Sequence, residues 1–122
     1  MAGKIIADTL EHSTAGSIAT NYVVDGSAKA WVAELNGSAV ASASFNFSSF
    51  TDNGTDNTAT FTNAMAAEYA VVSSAEEANT TPVPRFVMVF NRGASSFKMA
   101  TYTDTGGFSS VPQHAIVQGD LA

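Results

Sequence analysis

"RFVMVFNRGASSFKMATYT", residues 85–103, sets two runs of large apolar side chains on either side of Asn-Arg-Gly-Ala-Ser. Alternation with a period of two, interrupted by turn-forming residues, is the pattern of two antiparallel strands joined by a tight connection. On strict alternation Phe86, Met88 and Phe90 share one face, and across the turn Phe97 and Met99 share it with them. This is the clearest hairpin in the chain, and it sets the scale on which the rest is read.

Outward from it, short runs rich in Val, Phe, Tyr and Thr recur at 20–25, 28–35, 41–50, 58–63, 68–74 and 114–120. Between them lie Gly-, Asn-, Asp- and Pro-bearing stretches, which supply or preset the backbone angles of turns. No helical period separates the runs; only "MAAEYA" (65–70) and "SSAEEA" (73–78) could be helical, and each is too short to stand alone. The expected fold is therefore all-β, an antiparallel β-sandwich or jelly roll. In "ASASFNFSSF", alternation puts Phe45 and Phe47 on one face and Asn46, Ser48 and Phe50 on the other.

The composition agrees. Leu occurs only at Leu10, Leu35 and Leu121, whereas helix-rich cores lean on Leu, and Ala, Val and Phe carry most of the apolar mass. At 122 residues one domain is expected. Charged residues make up 13%, well under the roughly 25% of an ordinary soluble domain, so Ser, Thr, Asn and Gly must build much of the surface. A formal charge of −6 argues against nucleic acid or an anionic membrane as partner, because both require a basic footprint. No segment approaches the ~18 apolar residues of a spanning helix. The start "MAGKIIADTLEH" lacks the apolar core of an export signal, so synthesis in a cytoplasm is expected. The sequons at Asn36, Asn46, Asn53 and Asn79 are then chance products of an Asn-, Ser- and Thr-rich chain.

The residues that carry chemistry elsewhere form no set here. With no cysteine there is neither a disulfide nor a thiolate metal site. His12 and His114, the only histidines, have no metal-binding spacing; the sequence holds no Gly-x-Ser-x-Gly elbow and no glycine-rich phosphate loop. Glu76 and Glu77 sit next to a Pro-bearing loop, where solvated charges belong. In "TDNGTDN", Asp52, Asn53, Asp56 and Asn57 could offer oxygens to calcium, but the loop lacks an EF-hand's glycine and terminal glutamate, and a hairpin turn accounts for the same residues. No catalysis and no cofactor are expected. The single tryptophan, Trp31, stands in "AKAWVAEL" with Lys29, Ala33 and Leu35 on its face, and neither face of the run is cleanly apolar. Cover by the facing sheet, a seam between subunits, or a stacking ligand would each explain it.

"ADTLEHSTAGSIATNYVVDGSAKAWV", "FNFSSFTDNGTDNTATFTNAMAAEYAVV" and the ending "GDLA" resemble a family of small virion proteins of tailed, often marine, bacteriophages, described as tail-fibre-like or as exterior structural proteins. The resemblance covers nearly the whole chain and departs from it in residues 73–98. It implies a non-enzymatic part on the virion exterior, tail-fibre-like or receptor-binding, or alternatively a capsid decoration or head spike that touches only other virion proteins. The implied partners are further copies of the chain, most simply three, other virion proteins, and a host surface glycan or protein. Residues 1–20 are expected to be an extended segment packing on a neighbour, with "STAGSIAT" as a tether, and residues 21–122 one sandwich domain. Trp31, Ile5, Ile6 and Leu10 are the candidate subunit interface. Phe108, presented by Gly106 and Gly107 in "TDTGGFSS", is the candidate host contact, and this loop and residues 76–84 are expected at one exposed end.

Overall fold

The computed structural model describes residues 8–12, 16–19, 27–77 and 83–122, and within them all regular structure is strand. In chain order the strands are β1 (Thr9–His12), β2 (Gly16–Ala19), β3 (Ala30–Leu35), β4 (Ala43–Phe45), β5 (Phe47–Asp52), β6 (Asn57–Phe61), β7 (Met65–Ala75), β8 (Arg85–Gly93), β9 (Ser96–Thr103), β10 (Phe108–Ser109) and β11 (Gln113–Leu121). Two antiparallel sheets pack together as a β-sandwich. Sheet I contains β8, β9, β6 and β5 in that order; sheet II runs β4-β3-β11-β7. Because β8 takes up one whole edge of β9, β6 and β10 share the other edge end to end. β1 and β2 pair with each other as a separate hairpin, so part of the expected tether is a strand. The expected strand at 20–25 lies outside the described residues, as do Ile5 and Ile6.

The core answers the shortage of leucine with rings. Phe47 stacks on Phe61 at 5.2 Å between centroids, Tyr69 meets Phe61 edge-on at 5.7 Å, and Phe97 leans on Phe61 at 5.6 Å. Such arrangements add about 0.5–1.5 kcal/mol per pair beyond the area they bury. Sheet II closes over this cluster with Leu35, Met65, Val32 and Val117, all buried. Tyr69 donates its hydroxyl to the Gly93 carbonyl at 2.9 Å, while the Arg92 guanidinium caps the Tyr69 carbonyl at 2.6 Å and ties β7 to the β8–β9 hairpin.

Single extra residues decide which side chains reach this core. Between Phe90↔Lys98 and Gly93↔Ser96, β8 advances three residues while β9 advances two; the additional residue is accommodated at Asn91, whose φ is 49°. This bulge corrects the sequence expectation: Val87 and Val89, not Phe86, Met88 and Phe90, share the inner face with Phe97 and Met99. A second bulge follows Phe47, where two residues on β5 oppose one on β6, so Phe47 and Phe50 both point inward. Phe45 is not their neighbour in one strand. It ends β4 in sheet II, and Asn46, at φ 60°, carries the chain across to sheet I. Asn46 is clasped to Asn63: its Oδ1 accepts from the Asn63 backbone N–H at 2.8 Å and from Asn63 Nδ2 at 3.0 Å. A third bulge, at Glu34 with φ 52°, returns Leu35 to the core beside Ala30 and Val32.

Candidate binding faces

Each bulge that turns one set of side chains inward turns its alternates outward, and the outer faces are where the large exposed apolar groups collect. On sheet I, Phe108 is registered opposite Tyr102 and Tyr102 opposite Phe86, which lines three aromatic side chains across β10, β9 and β8 on one face. Met88 faces Ala100 and Phe90 faces Lys98 in the next two rows. Ala100 is fully buried although it points away from the core, so the longer side chains around it form a continuous surface over its methyl group. The other half of the same face is hydroxylic: Ser49 opposite Thr60, and Thr51 opposite Thr58. Lys98, held to Asp56 at 2.9 Å, marks the boundary.

On sheet II the outward row is Phe45↔Trp31↔Ile116↔Val72, one residue from each strand, all exposed. Trp31 is therefore not covered by the facing sheet; its strand turns it to the outside. Beside this row a hollow of about 110 Å³ lies among Val72, Ser74, His114 and Ile116. It is much smaller than the ~300–1,000 Å³ of a small-molecule site.

The polar residues singled out in the sequence are engaged in holding loops. His114 Nδ1 receives the N–H of the bulged Glu34 in a long 3.4 Å contact, and its Nε2 meets Glu76 at 3.2 Å. With both ring nitrogens occupied, none is left to serve as a base for Ser74, its cross-strand neighbour. Glu77 goes to Arg85 at 2.8 Å, so the two adjacent carboxylates have separate partners. The stretch from Asp52 to Asn57 is a hairpin turn: Asp52 accepts from the Gly54 N–H at 2.7 Å, and Asp56 accepts from Asn53 at 2.6 Å as well as binding Lys98. Among the described residues no three His, Cys, Asp or Glu side chains converge on a point where a metal could sit. Tyr69 is the one described group with a resolved shift: burial pushes its phenol up, and the nearby Arg92 charge opposes this in part.

Of the expected contact residues, Phe108 starts β10 on the outer face of sheet I rather than covering the end of the sandwich. Gly106, at φ 82°, makes the turn that delivers it, closed by the Thr103 N–H to the Gly107 carbonyl at 2.8 Å. This turn leaves from Thr103, which pairs with Arg85, so it shares an end of the molecule with the β7–β8 connection; residues 78–82 of that connection lie outside the described set. Leu10 is exposed in β1. The sequence reading did not anticipate Phe86, Met88, Tyr102, Phe45, Ile116 and Val72 as surface residues. Its signal was available only to a reader who counted Asn-Arg-Gly as one residue too many for an unbulged hairpin. Comparison with protein-family models, curated proteins and solved structures returned no match.

Proposed function

We propose that the protein is a non-enzymatic exterior subunit of a tailed-bacteriophage particle, tail-fibre-like, which contacts the host surface through the outer face of sheet I. The observation that carries this reading is the registered row Phe108–Tyr102–Phe86 beside a Ser/Thr-lined half of the same flat face. Aromatic rings next to hydroxyl groups suit a glycan or a polar peptide: the rings cover the apolar face of a sugar or side chain, and the hydroxyls meet its polar rim. The phage setting comes from the resemblance of the sequence to small virion proteins.

The test replaces Phe86, Tyr102 and Phe108 together with Ser. Because these side chains point away from the core, the variant should fold and remain on particles while adsorption to host cells falls at least tenfold. Unchanged adsorption would refute the host-contact reading. A flat face formed by strands, rather than by long loops, also suits a partner protein of the same particle, the capsid-decoration alternative. In that case the triple variant would be lost from particles, which imaging of labelled virions would register.

A further inference from the structure

We propose that the outer face of sheet II docks a second copy of this chain across a two-fold axis running along the strands. The inference is independent of the host-contact reading, which uses the opposite face. Its basis is the row Phe45–Trp31–Ile116–Val72, whose members are 55%, 38%, 50% and 66% exposed and lie side by side on four hydrogen-bonded strands. Each leaves on the order of 100 Å² of apolar surface in water, so the row alone approaches the largest patch that a monomer ordinarily exposes.

The order of sizes along the row selects the symmetry. A two-fold lying between two facing sheets and parallel to their strands reverses one row against the other. Phe45, the ring at one end, then meets the partner's small Val72 at the other, and Trp31 meets the partner's Ile116. A two-fold along the row instead would set ring against ring at one end and Val against Val at the other, leaving a wedge. The neighbours on this face are small or neutral: Ala33 opposite Ala43, Ala70 opposite Gln118, and Ser74 opposite His114. The chain's net charge of −6 is thus kept away from the seam, with Glu76 at the rim paired to His114. Two copies of the row would bury about 800 Å², and the small residues around it would carry the total past the ~1,000 Å² of a specific interface. The reversed fit calls for two copies, whereas composition alone suggested three.

The chain has no cysteine, so single thiols can be placed at will. Phe45→Cys and Val72→Cys variants are prepared separately, mixed, and treated with a short bis-maleimide. The mixture should cross-link to dimers at several times the yield of either variant alone. Sedimentation of the native chain at micromolar concentration should give a dimer, and Ile116→Glu should give a monomer with an unchanged circular dichroism spectrum. A native monomer or trimer, equal cross-linking by Phe45→Cys alone, or a dimer that survives Ile116→Glu would overturn the proposal. The cross-linking result decides the matter even if Ile116→Glu fails to fold.

Discussion

Deleting Asn91 removes the extra residue that sets the register of β8, and the consequences can be worked through from the pairing. Without it, Phe90 would fall opposite Met99 instead of Lys98, and every side chain from Arg85 to Phe90 would change face. Val87 and Val89, which pack partly buried against the core, would turn to solvent. At about 1.5–3 kcal/mol for a fully buried valine, two half-buried ones represent about 2–3 kcal/mol. Phe86 and Met88 would press into space shaped for them, adding about 1–3 kcal/mol of overpacking. The expected loss is about 3–6 kcal/mol, against a total of about 5–15 kcal/mol for an ordinary domain. Two milder changes separate backbone from register: Asn91→Val, forced to the left-handed φ of 49°, should cost about 1–2 kcal/mol, and Asn91→Gly should be close to neutral. The assay is the urea midpoint of each variant, together with thiol labelling of a cysteine placed at position 88. If the deletion costs under about 1 kcal/mol while position 88 still labels at the native rate, the bulge does not set the register and the account of both outer faces is wrong.

Phe97→Ala should cost about 3–5 kcal/mol in the same titration, because Phe97 is fully buried between the Phe47 and Phe61 rings. Asn46→Ala should lose about 2 kcal/mol, from the Asn63 clasp and the left-handed corner together, whereas Asn46→Gly should recover about half by removing the backbone strain. Tyr69 is neutral in the fold, and burial raises its pKa above the ordinary value of 10.0. The folded chain therefore holds that proton where the unfolded chain has released it, so stability is present below about pH 10 and falls as the pH rises further. Tyr69→Phe should flatten this alkaline decline in thermal melts, at the cost of the hydrogen bond to Gly93.

The strands were legible because they depend on local chemistry: β-branched and aromatic runs bounded by Gly, Asn and Pro located β3, β6, β8, β9 and β11 to within two residues. The faces were not, because alternation counts residues and three bulges change the count. Glu34, Ser48 and Asn91 are ordinary strand or turn residues by type, and nothing local marks the first two as irregular. The division of 41–50 at Asn46 was hidden for a similar reason, since one residue in a left-handed conformation moves the chain between sheets without a turn sequence. Trp31 shows the result. Its surroundings of Ala and Ser were correctly read as too small to enclose it, but its direction followed from the Glu34 bulge and from pairing with Phe45 and Ile116, which are 14 and 85 positions away.

β11 lies between β3 and β7, and its position bears on how the chain comes off the ribosome. Every pairing of sheet I is made among residues 47–109, but β3 and β7 have no contact in the ladder except through residues 113–121. Sheet I can therefore form while the last strand is still being synthesised. Its inner aromatic face, Phe47, Phe50, Phe61 and Phe97, stays uncovered until β11 has emerged and joined the two halves of its own sheet. Folding of this molecule is thus completed after translation of β11, and the interval before that is when the nascent chain is most exposed to aggregation or to a chaperone that binds aromatic surfaces.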